Sequence, residues 1–367
     1  MEKMNIEEFA DYIKDHILEH MSLSSEDYNV RMEEIKKNNG LILHGLSIHE
    51  SEVNITPTIY VEKEHAQYML GKSIEDCMSS IAKVYEENKI PKNIAIDFFT
   101  DFNQAKEKLA MKIVNFDQNR EMLKDVPHYI YGDLAAIFQV QVSADEMGTA
   151  TITVQNRHME LWGVTPAILL EETQNNMTEK QPFHIQNLAD VLREMMTGVS
   201  PEATEQFVGD MDPMMYVMSN ETKINGAAAI IFTDKIHEFA EQHNANLFIL
   251  PSSIHELLLL PDNGNLDVDH LTEMVCEVNA TQVEPEEVLS NHVYFYDKEL
   301  KQLQLAETKE PMTLREGNKD VAAKVAKKEA KEQKPIKDRL NDGKEKAQQQ
   351  TDEPKETKSQ LRRLERQ

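Results

Sequence analysis

Residues 247–261 read LFILPSSIHELLLLP, and this stretch lies at the centre of the predicted fold. Two apolar runs flank a short polar segment. LFIL (247–250) has the length of a buried strand, and Pro261 limits the second run to a length more typical of a strand than of a helix. Ser253 and Glu256 have capping-box spacing, which favours a helix start instead. We interpret both runs as strands joined by a polar hinge.

The hinge carries four side chains that could take part in chemistry, namely Ser252, Ser253, His255 and Glu256. On a strand Ser253 and His255 share a face, but a serine hydrolase needs a nucleophile, a base and an orienting acid that converge in space. The sequence has no G-x-S-x-G nucleophile elbow. We therefore interpret the hinge as a tight connection whose hydroxyls satisfy backbone amides. A ligand or partner pocket and an enzyme site are the alternatives.

Asn156 and His158 form a second candidate group, because they directly follow a predicted strand, where functional side chains are often displayed. In the structural interpretation Asn156 caps a short helix, His158 is hydrogen-bonded locally and Trp162 anchors the packing. The enzyme alternative requires more. It predicts that Ser253, His255 and one of Asn156 or His158 line a common pocket.

Hydrophobic periodicity predicts the remaining elements. The first predicted helix carries an apolar stripe of Ile6, Phe9, Ile13, Ile17 and Met21. Further helices are predicted at 65–88, 101–124, 165–177, 184–197, 234–242, 267–278 and near 285–290. Strands are predicted at 41–48, 56–62, 133–143, 149–155, 215–219, 227–232, 247–250, 256–261 and 293–297. Those at 215–219 and 227–232 are predicted to be buried.

These elements predict an α+β fold in which helices are interspersed with short, mainly antiparallel strand groups. A proline-bracketed stretch near 180–210 favours two halves, residues 1–180 and 181–306, over one continuous sheet. Residues 307–367 have little to bury and are predicted to be a charged flexible tail, disordered or transiently helical.

Charge is divided unevenly along the chain, whose net charge is −26. Residues 307–367 hold 17 basic and 13 acidic side chains, which leaves 22 basic against 52 acidic ones in residues 1–306. A body with a net charge of −30 repels phosphates, so direct nucleic-acid binding by the folded part is not expected. An inhibitor that mimics nucleic acid is a further alternative for such an acidic surface.

Cofactor, metal and membrane signals are incomplete. AQYMLGKS at 66–73 ends like a phosphate-binding loop but lacks the first glycine, and His237 and His243 are six residues apart, too far to share a helix face. We expect no cofactor and no metal. We do not expect the acidic segment at 1–16 to be a signal peptide, and the sequence has no apolar run of membrane-spanning length. Cys77 and Cys276 match no metal spacing. These observations predict a cytoplasmic protein.

Several ordered motifs resemble an uncharacterised bacterial family, the domain of unknown function 5688, over roughly residues 5–300. The motifs are KNNGLILHGLSI (37–48), NITPTIYVE (54–62), IVNFDQNREMLKDVPH (113–128), NRHMELWG (156–163), PMMYVMSN (213–220), GAAAIIF (226–232), FILPSSIHELLLLPD (248–262) and EVNATQVEPEEVLSNHVYFYD (277–297). The resemblance implies cytoplasmic proteins in accessory or mobile-element settings, and it supplies no activity, ligand or catalytic residue. We therefore expect a non-enzymatic accessory protein that binds a protein partner.

Overall fold

The structure, a computed structural model, describes residues 3–51, 53, 56–89, 97–145, 148–196, 200–209 and 214–317. The α-helices are α1 (Ile6–His20), α2 (Glu62–Met69), α3 (Ile74–Asn88), α4 (Phe102–Ala105), α5 (Arg120–Leu123), α6 (Asn156–Trp162), α7 (Pro166–Lys180), α8 (Leu188–Met195), α9 (Pro201–Gly209), α10 (Thr233–His243) and α11 (Val268–Thr281). The strands are β1 (Tyr28–Lys36), β2 (Ile42–Glu50), β3 (Thr58–Tyr60), β4 (Leu109–Asn115), β5 (His128–Tyr131), β6 (Leu134–Asp145), β7 (Gly148–Thr153), β8 (Phe183–Asn187), β9 (Tyr216–Asn220), β10 (Leu247–Pro251), β11 (Leu257–Pro261), β12 (Tyr294–Asp297), β13 (Gln302–Leu305) and β14 (Leu314–Glu316). Short 3-10 helices lie at Asn38–Gly40, Asp97–Thr100, Lys106–Lys108 and Gly226–Ile231.

The N-terminal unit packs α1, α2 and α3 against an antiparallel sheet of order β1-β2-β3. The predicted stripe of α1 is confirmed, since Phe9, Ile13 and Ile17 are fully buried. Asn5 begins the helix with a capping box shared with Glu8. This unit has a core of its own.

The predicted helix at 65–88 is wrong as a single element, because α2 and α3 are separate helices. Gly71 lies between them with a φ of +114°, a conformation that glycine adopts without a steric penalty. Ser73 then caps α3, accepting a hydrogen bond from the Asp76 amide. The glycine and serine of the phosphate-loop-like fragment thus form a helix junction.

The main body contains two antiparallel sheets that share one core. One sheet has the order β14-β5-β6-β4, with β7 also paired to β6, and the other has the order β13-β12-β10-β11-β9-β8. Side-chain alternation divides the predicted central strand β10 between two clusters. Leu247 and Ile249 join the shared core, whereas Phe248 and Leu250 pack with α11 on the opposite face. The α+β class and both hinge strands are confirmed.

The predicted helix at 101–124 is also wrong, because its centre is strand β4. Leu109, Met111 and Ile113 face the shared core, while Val114 packs in a second cluster on the other face of the sheet. A strand buried on both faces is almost continuously apolar, so it lacks the alternation that identifies a half-exposed strand. The period-3.6 interpretation of this segment was therefore mistaken.

The segment predicted as a strand at 227–232 is mostly a 3-10 helix, Gly226–Ile231, that packs into the shared core. The predicted helix at 184–197 is strand β8 followed by α8, and Asn187 caps α8 by accepting from the Ala189 amide. The segment near 285–290 has turns in place of the predicted helix.

The shared core contains residues from both predicted halves, from Leu109 to Met177 and from Phe183 to Met312. The proposed division near 180–210 therefore crosses the principal core, and separate folding of the halves stays a prediction. The folded body also extends past residue 306, because β14 pairs with β5 and Met312 is buried. Residues 318–367, most of the predicted tail, lie outside the described residues.

Candidate functional site

The hinge between β10 and β11 is a hydrogen-bonded turn. Ser253 Oγ accepts a hydrogen bond from the His255 amide at 3.0 Å, and the Ser253 amide donates to the Glu256 carbonyl at 3.4 Å. Ser252 Oγ donates to Glu256 Oε1 at 3.3 Å. The Ser253 hydroxyl thus makes the predicted contact with a backbone amide, whereas the Ser252 hydroxyl bonds to a side-chain carboxylate instead.

His255 has a partner at each ring nitrogen. Nδ1 accepts a hydrogen bond from the Asn225 amide at 3.2 Å, and Nε2 lies 3.3 Å from Glu287 Oε1. A backbone amide only donates, so Nδ1 carries the lone pair and Nε2 carries the proton that it donates to Glu287. In this tautomer His255 has no free basic nitrogen. It connects the hinge to the 284–288 loop, whose Glu287 carbonyl accepts from the Ile254 amide at 2.9 Å.

A close approach of backbones fixes the hinge against β9. Ser219 Oγ donates to the His255 carbonyl at 2.8 Å. Gly226 lies directly beside this bond, and a Cβ atom built there would stand 2.1 Å from Ser219 Oγ and 2.4 Å from the His255 carbonyl oxygen. Only glycine fits this position without a shift of its neighbours.

Asn156 and His158 lie at the start of α6 in a separate environment, and the predicted cap at Asn156 is wrong because Gln155 is the N-cap. Asn156 Nδ2 donates to the Lys124 carbonyl at 2.9 Å, and His158 Nδ1 accepts from the Gln155 amide at 3.0 Å. The imidazole also packs edge-on against Phe99, and burial followed by the nearby Arg157 charge lowers its pKa. Within the described part of the chain, no hydrogen bond or ring contact of either side chain reaches residues 252–256.

Glu256 is the candidate side chain that lines a sizeable cleft. The cleft has a volume of about 640 Å³ and lies over one face of the β8–β9 strand pair. Its lining residues are Pro182, His184, Ile185, Gln186, Val191, Val217, Ser219, Asn220, Glu221, Lys223 and Glu256. Sequence reasoning missed the β8 members because it assigned FHIQN to a helix. The alternation of that segment was the signal that could have placed His184 and Gln186 on one face.

The loop after β9 forms the rim of the cleft and is organised by Asn220. Its Oδ1 accepts hydrogen bonds from Thr222 Oγ1 and the Ile224 amide, and its Nδ2 donates to the Ile224 carbonyl at 2.8 Å. Lys223 is held at a φ of +54°, in the left-handed region where a residue with a long side chain is uncommon. The loop thereby holds Glu221 and Lys223 at the cleft.

Four lining residues of the cleft have exposed polar side chains. In the described ranges, the side chains of His184, Gln186, Glu221 and Lys223 make no hydrogen bond or ion pair, so their polar groups are available to a bound molecule. Their exposed positions resemble an interface rim more than an enclosed reaction chamber. No group of three His, Cys, Asp or Glu side chains with metal-binding geometry occurs among the described residues.

The described residues include no helix of the length and apolarity needed to cross a membrane. No curated protein and no solved structure matches the chain. The family model described as "Family of unknown function (DUF5688)" matches residues 6–298, which include the N-terminal unit, the whole hinge and every strand of the main body except β13 and β14. The chain belongs to this family.

Proposed function

We propose that the protein is a non-enzymatic accessory protein of the cytoplasm that binds a macromolecular partner in the β8–β9 cleft. One observation carries the proposal. The polar groups of the hinge are used within the protein, whereas the side chains of His184, Gln186, Glu221 and Lys223 in the cleft have no partner among the described residues.

The shape and lining of the cleft support a macromolecular partner over a small molecule. Its volume of about 640 Å³ is in the range of small-molecule sites, but such sites are mostly apolar and enclose most of the ligand. Here His184, Gln186, Glu221 and Lys223 are all exposed. A shallow surface of this kind suits a partner that brings contacts beyond the cleft itself.

The state of the two cysteines supports the cytoplasmic part of the proposal. Cys77 is buried in the N-terminal core and Cys276 is exposed on α11, and both are free thiols. An exposed free thiol is more compatible with a reducing compartment than with an oxidising one.

The first experiment is isolation of the tagged full-length chain from the organism that encodes it, followed by size-exclusion chromatography with light scattering. We expect a stoichiometric complex that the Gln186→Trp variant, whose bulky side chain obstructs the cleft, fails to form. Gln302→Trp at the opposite edge of the same sheet is the matched control and should retain the complex. Elution of the wild-type chain without a partner would refute the proposal.

A further inference from the structure

β8 is the terminal strand of the six-stranded sheet and pairs on one side with β9. On its other side, residues 183–186 make no backbone hydrogen bond to a strand within the described part of the chain. An unpaired edge presents N–H and C=O groups to which another extended chain can bond. Edge strands usually carry prolines or charges that prevent such pairing, and the β8 sequence FHIQN contains neither.

The side chains of β8 divide between the core and the cleft. Phe183 packs against Phe232 with ring centroids 4.9 Å apart, and Ile185 packs against the shared core. His184 and Gln186 lie on the other face and line the cleft. A strand added beside β8 would therefore place every second side chain on the same face as His184 and Gln186, next to the cleft, where a long side chain could be selected.

The charge of the cleft indicates which side chain fits. Glu221 and Glu256 supply two carboxylates against the one ammonium group of Lys223. The surrounding body is strongly acidic, since residues 1–306 hold 52 acidic and 22 basic side chains. Complementary potentials favour a basic side chain and a fast encounter with a basic segment.

Met195 offers an apolar contact beside the cleft. Its side chain is 67 % exposed and lies one helical turn after Val191, which lines the cleft. Methionine adapts its shape to different partners and is common at binding surfaces.

We infer that the cleft binds an extended peptide segment of the partner, which adds to β8 as a further strand and directs a Lys or Arg side chain at Glu221. The inference rests on the proposed function and specifies the chemistry of its partner. Backbone pairing with β8 provides affinity, and the carboxylates of the cleft provide selectivity for a basic residue.

The test is selection of random 12-residue peptides displayed on phage against the full-length chain. We expect enriched peptides with a Lys or Arg among residues of high strand propensity. Glu221→Lys should weaken binding of the corresponding synthetic peptides about tenfold or more, because one attraction is replaced by a repulsion. Glu299→Lys reverses a carboxylate that is 86 % exposed in the β12–β13 turn, and it should leave affinity unchanged.

Hydrogen–deuterium exchange with the same peptides tests the mode of binding. Saturating peptide should slow exchange of the backbone amides in residues 183–187 at least about tenfold, whereas control peptides with shuffled sequence should not. Binding without slower exchange in β8 would contradict strand addition. Equal affinity of the wild-type and Glu221→Lys chains would contradict selection of a basic side chain.

A photoactivatable cross-linker at Gln186 of the full-length chain identifies other occupants of the edge. Cross-links to a second copy of the chain, or to its own residues 318–367, would overturn the inference, as would selection that enriches no peptide. These outcomes are separable from failure of the proposed function. A stoichiometric complex that is lost in Gln186→Trp but involves no strand addition would support the proposed function and refute this inference alone.

Discussion

Asp133 is a half-buried carboxylate at the β5–β6 turn. Ser290 Oγ and Tyr294 OH donate to its two oxygens at 2.6 and 3.0 Å, which connects the two sheets. Burial raises the pKa of Asp133 above its ordinary value, and the two hydroxyl donors and His292 oppose this shift. The carboxylate is therefore a structural group that is less stable in its charged form than it would be in water.

The pH dependence of Asp133 follows from the direction of this shift. Between the ordinary pKa near 3.8 and the raised native pKa, the folded chain retains a proton that the unfolded chain has lost. The contribution of Asp133 to the free energy of unfolding therefore falls as pH rises through this window. Asp133→Asn removes the titrating group while keeping the shape of the side chain. The free energy of unfolding of this variant relative to wild type should therefore increase with pH. Urea melts between pH 3 and 7 provide the measurement.

Asp133→Ala is the matched comparison, because it leaves the hydroxyls of Ser290 and Tyr294 without their acceptor. Leaving a buried partner unsatisfied costs about 1–3 kcal/mol, so this variant should be less stable than wild type. The free energies of unfolding of Asp133→Asn and wild type should therefore diverge with pH. A constant difference would contradict the conclusion that burial raises the pKa of Asp133.

The hinge serine and the buried leucines make unequal contributions to stability. Ser253→Ala removes one turn hydrogen bond and should cost about 1 kcal/mol. Leu259 is fully buried in the shared core, so Leu259→Ala should cost about 2–5 kcal/mol through lost transfer energy and the cavity left behind. Leu258 is only half-buried, so Leu258→Ala should cost less stability than Leu259→Ala. Thermal melts in which Ser253→Ala is the most damaging of the three would contradict this ordering.

At the scale of elements, the Gly226–Ile231 segment explains both a correct and a mistaken prediction. Its burial was predicted correctly, since Ala227, Ala228 and Ala229 are all fully buried. Its conformation was not, because a short apolar run is equally compatible with a strand and a helical turn. The close contact of Gly226 with Ser219 and His255, which requires glycine there, is a tertiary feature with no local sequence signal.

Gly226→Ala should destabilise the protein by about 1–3 kcal/mol, the usual cost of forcing additional atoms into a packed site. The new methyl group would displace Ser219 Oγ or the His255 carbonyl and break their hydrogen bond. Gly209→Ala is the matched control, because the added Cβ has no atom within 4 Å. It should leave stability unchanged or slightly raised. Equal melting temperatures for the two variants would show that the backbone approach at Gly226 is not restrictive.

The candidate site was only partly predictable from the sequence. Glu256 was identified because it lies between two conspicuous apolar strands. His184 and Gln186 were missed because the five residues of β8 directly precede an amphipathic helix, whose periodicity dominates a longer window. β4 was missed because burial on both faces removes the alternation of a half-exposed strand. Periodicity reports one exposed and one buried face, and β4 does not have that arrangement.

At the scale of the whole molecule, two cores of different extent organise the chain. The N-terminal unit has a separate core but contacts the main body through Asn39, whose Nδ2 donates to the carbonyls of Pro285 and Val288. In the main body, α7 and β4 share one core with β9 to β12. The predicted boundary near residue 180 therefore separates residues that are packed together.

This arrangement predicts that the two sheets unfold together. Native-state hydrogen exchange at increasing urea concentrations should give the same opening free energy for peptides from 109–140 and from 247–261, because both depend on the shared core. The backbone amides of residues 6–20 belong to the N-terminal core, so they can have a different opening free energy from those of the main body. A lower opening free energy for all of residues 181–306 than for 109–177 would instead support two independent halves.

The most direct measurement of the central claim is the dissociation constant of the isolated partner for three full-length chains, determined by calorimetry. The proposed function predicts that Gln186→Trp weakens binding by about tenfold or more, whereas Gln302→Trp binds as tightly as wild type. Both substitutions are uncharged and lie on edge strands of one sheet, so their comparison isolates the position of the cleft. The same dissociation constant for all three chains would show that the partner binds elsewhere and would contradict the assignment of the β8–β9 cleft.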